Sequence, residues 1–260
     1  MRALNIAGTG MLAQQMNVEV ISNNIANMNT TGYKKQRAEF QDLLYQTVQR
    51  SGAETGALGQ RRATGIQIGV GVAAAGVYRI AEQGDLNSTG GRFDIAIDGR
   101  GYFRVEMPSG EEAFTRAGSL QVSAEGDLVT PEGYRVLPGA SIPEDALDVL
   151  ISDSGTVQVR RAGETELSDV GEIELASFQN EAGLSALGQN LLAETESSGV
   201  PVFGLPGEPG FGTLRQGFLE TSNVNPVAEI TNLITAQRAY EMNSRVIQTA
   251  DEMMTRLGQR

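Results

Sequence analysis

Two aspartates are the residues of this sequence whose types and spacing could support catalysis. Asp94 and Asp98 lie four apart in a segment of alternating apolar residues, a pattern that predicts a β-strand. Residues four apart on a strand share a face, so the carboxylates could serve a hydrolase or act as oxygen ligands of a metal. In a simpler interpretation, Asp98-Gly99 begins a turn and Asp94 is an exposed strand position. We favour this simpler interpretation.

Composition excludes much of the remaining catalytic chemistry. The 260 residues contain no cysteine and no histidine. Thiol nucleophiles, disulfides, Cys or His metal ligands and imidazole bases are therefore absent. Gly8-Thr9-Gly10 and Gly69-Val70-Gly71 lack both the complete glycine fingerprint and the lysine of a phosphate-binding loop. We predict that the protein is not an enzyme and that it uses no cofactor and no metal.

Many short strands are expected in the middle of the chain. The sequence has 32 glycines and only 5% aromatic residues, which favours strands joined by turns over a helical bundle. Hairpins are predicted at 102–105 with 113–116, and at 120–122 with 128–129. Further strands are predicted at 66–72, 93–97, 134–137, 149–151, 156–159 and 173–176. A compact antiparallel β-domain over residues 81–217 follows, closed by the loop 201–212.

Heptad patterns at both ends of the chain predict two helices. The first pattern combines the series Leu4, Met11, Val18, Ile25 with the series Ala7, Gln14, Ile21, Met28, and it stops at Asn29-Thr30-Thr31-Gly32. The second combines Leu233, Tyr240, Ile247, Met254 with Ala236, Asn243, Ala250, Leu257. Pro226 fits the first turn of the second helix, where its missing N–H costs nothing.

The polar side of the first helix is rich in amides and poor in charge, with Asn23, Asn24 and Asn27 near its end. Amides can form hydrogen bonds across a close interface without the desolvation cost of a charge, although a solvated helix with this composition is an alternative. The predicted assembly interface consists of Leu4, Met11, Val18, Ile21, Asn23, Asn24, Ile25, Asn27, Met28, Leu233, Tyr240, Asn243, Ile247, Met254 and Leu257.

Charge is distributed unevenly along the chain. The net charge is -12. Residues 1–80 carry eight basic and four acidic side chains, residues 81–217 eight and twenty-three, and residues 218–260 four and five. This distribution argues against a nucleic-acid partner, and it is expected if the ends pack against protein while the middle faces solvent. No secretory core or run of eighteen apolar residues is present, so we expect neither a cleaved signal peptide nor membrane insertion.

These features predict an α+β fold with four parts. The predicted parts are a coiled-coil-like helical domain of residues 1–32 with 224–260, an extended arm at 33–80, the outer β-domain at 81–217 and a return linker at 218–223. Residues 40–48 are compatible with a short helix or with an extended arm.

A single pair of helices leaves most of its surface uncovered, so we expect other copies of the chain to cover it in an open helical filament, with the helices ordering on assembly. Two alternatives remain. One is a closed trimeric coiled coil in a binding or adhesin module. The other is a monomer whose termini pack on the β-domain.

Four segments resemble bacterial flagellar rod and hook proteins. They are Ala7 to Lys34 with Ser22-Asn23-Asn24-Ile25-Ala26-Asn27, then Phe93 to Phe103, then Phe114-Thr115-Arg116-Ala117-Gly118, and finally Gln216-Gly217-Phe218-Leu219-Glu220-Thr221-Ser222-Asn223-Val224. The length and the strand Gly65 to Val72 are similar to the distal rod members of this family, and a proximal rod paralogue is the nearest alternative.

The resemblance implies a subunit of a stiff hollow shaft in the flagellar basal body, extending from the periplasm to the outer membrane and transmitting torque from motor to hook. It implies export without a cleaved signal through the flagellar type III apparatus. The implied partners are other copies of the chain, the proximal rod proteins, the hook protein and the P- and L-ring bushing. The terminal helices would line the central channel, and the arm would brace neighbouring subunits.

Overall fold

The computed structural model describes residues 2–49, 64–161 and 166–258. The chain forms two compact units. Unit 1 consists of Met1–Ile25, Gln36–Tyr78 and Pro226–Arg260, and unit 2 of Ala26–Lys35 and Arg79–Asn225. The chain therefore passes between the units four times, and segments from both ends of the sequence contribute to unit 1.

The two predicted helices are present and belong to unit 1. Helix α1 spans Arg2–Ala26 and helix α2 spans Pro226–Gly258. They contain 25 and 33 residues, which corresponds to lengths of about 37 and 50 Å. Pro226 is the first helical residue of α2, which confirms the expected use of proline where no N–H partner exists. Neither helix in the described part of the chain combines the length and apolarity needed to cross a bilayer.

Helix α1 ends earlier than the heptad pattern predicts. The helix stops at Ala26, so Met28 lies beyond it and is exposed. Asn27 accounts for the early stop, because its carbonyl oxygen accepts the Thr30 N–H at 3.1 Å and its side chain accepts the Thr30 hydroxyl at 3.1 Å. Local bonds of this kind compete with helix continuation. The extension of the heptad seam to Met28 was wrong.

The arm consists of paired strands in the described residues. Strand β1 (Gln36–Asp42) pairs with β4 (Val72–Arg79), and β2 (Tyr45–Gln49) pairs antiparallel with β3 (Ile66–Gly69). Of the two alternatives for residues 40–48, the extended one is confirmed. The glycine-rich stretch from 50 to 63 lies outside the described residues.

Unit 2 is built from short strands. They are β5 (Leu86–Ser88), β6 (Ile95–Asp98), β7 (Tyr102–Glu106), β8 (Glu112–Thr115), β9 (Gln121–Val122), β10 (Leu128–Val129), β11 (Arg135–Leu137), β12 (Ala146–Ile151), β13 (Thr156–Arg161), β14 (Ser168–Glu172), β15 (Leu175–Ser177), β16 (Ser185–Gly188), β17 (Leu191–Ala193), β18 (Val202–Gly204), β19 (Thr213–Gln216) and β20 (Phe218–Glu220). All the registers that the structure defines are antiparallel, which confirms the predicted strand arrangement. The hairpins β7–β8 and β9–β10 lie where the sequence predicts them.

Strand β7 organises the largest sheet. One of its edges pairs with β8, while the other pairs with β15 at Tyr102 and Phe103 and with β11 from Arg104 onward. Phe103 and Val105 are fully buried, and they belong to one apolar core that also includes Ile95 and Leu214. The loop predicted at 201–212 contains β18, and the predicted return linker contains β20, which pairs with β5. The four-part division of the chain stays a prediction.

Candidate assembly surface and buried charge cluster

Two contacts fix how α1 and α2 pair. Gly10 faces Asn243, and the Asn24 side-chain amide donates to the Glu229 carboxylate at 3.2 Å. The α2 partners of Gly10 and Asn24 lie in the reverse order along the sequence and are separated by the same number of residues. The helices are therefore antiparallel. The small residues Ala236 and Ala250 of α2 are buried within the chain.

Small residues also allow α1 to pack closely against α2 and against the arm. A Cβ atom at Gly10 would lie 2.9 Å from the Asn243 amide nitrogen, and one at Gly71 would lie 2.2 Å from the Thr9 hydroxyl oxygen. Gly71 also has a φ of +128°, which side chains disfavour. The Thr9 hydroxyl accepts the Val72 N–H at 3.3 Å and donates to the Ile6 carbonyl at 2.8 Å. Thr9 and Gly10 therefore have a packing role in unit 1.

Asn24 connects three segments of unit 1. It is 2% exposed, its amide nitrogen donates to the Gln36 carbonyl at 2.8 Å, and its oxygen accepts the Gln36 N–H at 2.8 Å. The side chain thus pairs with the backbone at the start of β1 as a neighbouring strand would, while it also reaches Glu229 of α2. These amide bonds lie within one chain, and the predicted contacts of the α1 amides with other copies stay a prediction.

The structure places the predicted interface residues in different environments. Ile21 and Asn24 are buried within unit 1, whereas Asn23 and Tyr240 are exposed, Tyr240 by 43%. The half-buried residues are Leu4, Met11, Val18, Ile25, Asn27, Leu233, Asn243, Ile247 and Met254. The side chain of Leu257 lies outside the described residues. Much of the heptad seam is therefore at least partly buried within the chain, and its contacts with other copies stay a prediction.

A second apolar surface of α2 was not predicted. We call it the outer face of α2, and it consists of Val227, Ile230, Ile234, Met242, Val246 and Met253, all exposed. Val227 is 75% and Met242 is 61% exposed. Between these residues, Thr231 and Thr249 donate their hydroxyls to carbonyls one turn earlier, at 2.8 and 2.9 Å, and so are not polar donors to solvent. Apolar residues at steps of three and four along α2 are the signal that could have identified this surface.

The arm adds further exposed apolar area to unit 1. Leu44 is 87% exposed, and Tyr45, Val48, Ile66 and Ile68 of the β2–β3 ladder are exposed as well. A two-stranded ladder that buries neither face has little stability by itself. Extended apolar surfaces of this size are characteristic of protein contacts.

Unit 2 contains a buried cluster of three charged residues, which we call the charge cluster. Glu220 on β20 is 1% exposed, and its carboxylate accepts hydrogen bonds from Lys34 Nζ at 2.6 Å and from Arg116 Nε. The Gly84 N–H adds a third bond, at 2.8 Å. A buried carboxylate without partners would be very costly, and these three bonds offset the cost of burying Glu220.

The two cations of the cluster are also bonded to backbone carbonyls. Arg116 donates to Gly101 at 2.8 Å and to Gly99 at 2.6 Å, so one side chain fixes the turn between β6 and β7. Lys34 donates to the Glu82 carbonyl at 2.8 Å. Burial, followed by the nearby Arg116 charge, lowers the pKa of Lys34 below 10.5, against the opposing effect of Glu220.

Asn223 connects the same segments a short distance along the chain. Its amide nitrogen donates to the carbonyls of Ile80 at 3.0 Å and Glu82 at 2.9 Å, and its oxygen accepts the Lys35 N–H at 2.7 Å. The chain enters or leaves unit 2 near Lys35, Ile80 and Asn223. The charge cluster and Asn223 hold these three places together within unit 2. A close approach supports this arrangement, because a Cβ at Gly32 would lie 2.8 Å from the Arg116 carbonyl carbon.

The charge cluster was not predicted from the sequence. Its members lie far apart in the chain, and each looks like an ordinary surface charge within its own segment. The available signal was that three of the four family-like segments each carry one member, namely Lys34, Arg116 and Glu220. This pattern could have indicated that these segments meet in the fold.

Asp94 and Asp98 have separate structural partners. The Thr89 hydroxyl donates to Asp94, and Arg215 pairs with Asp98 at 2.7 Å. Gly99 has a φ of +116°, which confirms the predicted turn after Asp98. Among the described residues, no group of three or more carboxylates is arranged to hold a metal ion.

Three family models match this chain. A model described as flagella basal body rod protein matches residues 4–34, the flagellar hook protein FlgE/F/G D1 domain matches residues 96–159, and the flagellar basal body rod FlgEFG protein C-terminal matches residues 215–260. Each matched segment contains one member of the charge cluster.

Curated relatives align with almost the whole chain. The flagellar basal-body rod protein FlgG of Caulobacter vibrioides is 56% identical over 98% of this chain and 97% of its own length. The FlgG protein of Borreliella burgdorferi is 47% identical over 98% of this chain and 96% of its own. FlgF of Caulobacter vibrioides is less similar, at 33% identity over 96% of this chain and 94% of its own. Identity at this level over the full length, higher for these FlgG proteins than for FlgF, shows that the chain belongs to the family of flagellar basal-body rod proteins.

Proposed function

We propose that this protein is a structural subunit of the distal rod, where copies assemble into a rigid hollow shaft that transmits torque from motor to hook. The observation that carries this proposal is the outer face of α2, where six large apolar side chains are exposed on one helix of a two-helix pair. Full-length similarity to FlgG, at higher identity than to FlgF, favours the distal rod over a proximal rod paralogue.

The energetics favour a polymer. Covering one large apolar side chain contributes about 2 kcal/mol, and the outer face of α2 and the β2–β3 ladder together offer many such side chains. A copy of the chain placed by one repeated heterologous contact exposes the same surface again, so the assembly continues as a filament. Contact on several sides of each subunit resists bending and twisting, as a drive shaft requires.

The remaining assignments follow from this proposal. The helices α1 and α2 line the channel of an inner tube, the β-rich residues 81–217 form the outer layer, and the arm at 33–80 braces neighbouring subunits. The acidic sum of residues 81–217 suits a solvent-facing outer layer. The proposed neighbours are proximal rod proteins, the hook protein and the P- and L-ring bushing. The subunits reach the periplasm through the flagellar type III export apparatus and extend to the outer membrane. No catalytic role is proposed.

Cryo-electron microscopy of basal bodies isolated from the source organism tests the proposal. We expect this sequence to fit the distal rod density, with α1 and α2 around the channel. A fit to the proximal rod would replace the distal assignment. Absence of the chain from the basal body would overturn the function as a whole.

A further inference from the structure

Six strands of unit 2 form a continuous strip with two open edges. The order β16-β17-β8-β7-β15-β18 is joined by pairs that are all antiparallel. Among the described residues, β16 pairs only with β17 and β18 pairs only with β15. Each outer strand therefore has a free edge, and free edges are sites where a strand from another chain can pair.

Both edge strands lie in the longest uncharged stretches of unit 2. No charged residue occurs between Glu181 and Glu194, and none between Glu196 and Glu208. Residues 81–217 otherwise carry twenty-three acidic and eight basic side chains. Two identical acidic units repel one another over most of their surface, and these edges are where they can touch without bringing like charges together.

The side chains at both edges are apolar and accessible. Leu187 on β16 is 49% exposed, and Val202 on β18 is 62% exposed. Phe203 on β18 lies under the Arg104 guanidinium, which is 4.5 Å from the ring centre and holds the ring in one place. Neither strand contains the lysine or proline that commonly protects a sheet edge, although Pro201 directly precedes β18.

We propose that β18 of one copy pairs with β16 of the next copy, so that the strip continues from subunit to subunit. This contact rests on the proposed self-assembly and identifies the part of unit 2 that takes part in it. In a strip of six alternating strands, the first and the last run in opposite directions. A second copy in the same orientation therefore brings its β16 antiparallel to β18, which is the pairing used throughout the strip.

The contact is heterologous and open. Each copy offers β18 to one neighbour and β16 to the other, so the pairing extends in one direction without closing. Strand spacings of roughly 4.8 Å place successive copies about 29 Å apart along this direction. Backbone hydrogen bonds supply most of the attraction in such strand additions. Strands of only three and four residues give a weak contact, which acts when other surfaces already hold the copies together.

Cross-linking of engineered cysteines tests this contact, because the natural chain contains no cysteine. Full-length chain carrying Leu187→Cys, Val202→Cys or both would be polymerised, sedimented and treated with a short bismaleimide. Residues 187 and 202 of one copy are separated by five strand spacings, about 24 Å, so the reagent cannot join them within a subunit. Reaction with a monofunctional maleimide confirms that both thiols are accessible in the free chain.

The double variant is expected to give a ladder of covalent dimers, trimers and larger species, and each single variant is expected to stay monomeric. A control double variant, Leu147→Cys with Leu187→Cys, places the first thiol on the three-stranded sheet and should give no ladder. Monomer alone from the sedimented double variant would overturn the contact and leave the proposed function standing, as would efficient dimers from either single variant. A chain that does not sediment would overturn the proposed function, and this contact with it.

Discussion

The two units of the chain place their large apolar residues differently. In unit 2, Phe103, Phe114 and Leu214 are almost completely buried in apolar clusters. In unit 1, most of the buried apolar residues are small, such as Ala7 and Ala236, with Ile21 a larger exception, while the six large residues of the outer face of α2 are exposed. Unit 2 therefore has the interior of a self-sufficient fold, and unit 1 lacks one. In the proposed assembly, other copies of the chain would cover the exposed apolar residues of unit 1.

The buried polar side chains also differ between the two units. Unit 2 buries three charged side chains and gives each of them hydrogen-bonded partners, which requires a rigid surrounding. Unit 1 uses the single neutral amide of Asn24 to connect α1, β1 and α2. A charge cluster is costly to form partially, whereas an amide contact can form and break with less cost.

The largest predicted effect is the loss of the carboxylate charge in unit 2. Glu220→Gln leaves Lys34 and Arg116 buried without a counter-charge, so we expect the free energy of unfolding to fall by about 3–5 kcal/mol. Urea unfolding of the full chain followed by circular dichroism measures this. Asp148→Asn is the matched control, because its pair with Arg160 is about half exposed and its loss should cost less than about 1 kcal/mol. Equal losses in both variants would remove the distinction between the buried cluster and surface pairs.

The next prediction concerns the outer face of α2. Ile234→Asp places a carboxylate where we propose that another copy packs, so the polymerisation concentration should rise by about 30-fold, equivalent to about 2 kcal/mol. Sedimentation at increasing protein concentration measures the shift. Gln237→Asp adds the same charge at an exposed polar position of the same helix and should have a small effect. If the two variants polymerise alike, net charge and not the apolar face controls assembly.

A smaller effect is expected at Asn24. Asn24→Ala leaves the N–H and carbonyl of Gln36 without their side-chain partner and breaks the bond to Glu229, which should cost about 1–2 kcal/mol. Because the loss falls in unit 1, the helical signal in circular dichroism should melt earlier while the β-sheet transition is unchanged. Asn5→Ala, at an exposed position of α1, is the control. A shift of the sheet transition by the same amount would show that the two units unfold together.

The smallest predicted effect is a pH dependence from Lys34. Since the pKa of Lys34 is lowered on folding, the unfolded chain binds more protons between the lowered value and 10.5. The wild type should therefore gain stability relative to Lys34→Met as the pH rises through this window, by at most about 1.4 kcal/mol per pH unit. Urea midpoints of both proteins at several pH values measure the difference. A stability difference between the two proteins that shrinks with rising pH would contradict a lowered pKa of Lys34.

The sequence predicts some parts of this fold well because the signals are local. The heptads locate α1 and α2, and the turns locate the β7–β8 and β9–β10 hairpins. Strands β16, β18 and β20 were missed because they are only three or four residues long and contain glycine or polar residues. Their pairing depends on distant segments, which no local pattern reveals.

The candidate sites also differ in whether local sequence patterns could reveal them. The heptad positions were visible, but the sequence alone does not distinguish residues buried within the chain, such as Ile21, from residues that stay accessible. The charge cluster depends on contacts between residues as far apart as Lys34 and Glu220. Such contacts follow from the complete fold and not from spacing in the sequence.

Hydrogen exchange of the full chain, free and in sedimented polymer, tests the central claim most directly. We predict that amides of α2 exchange rapidly in the free chain and become at least about 100-fold more protected in the polymer, while β7 and β8 stay equally protected in both. Such a result would show that unit 1 is completed by other copies and unit 2 is not. If α2 is as protected as β7 in the free chain and does not change on assembly, the helices form a self-sufficient unit and the account is contradicted.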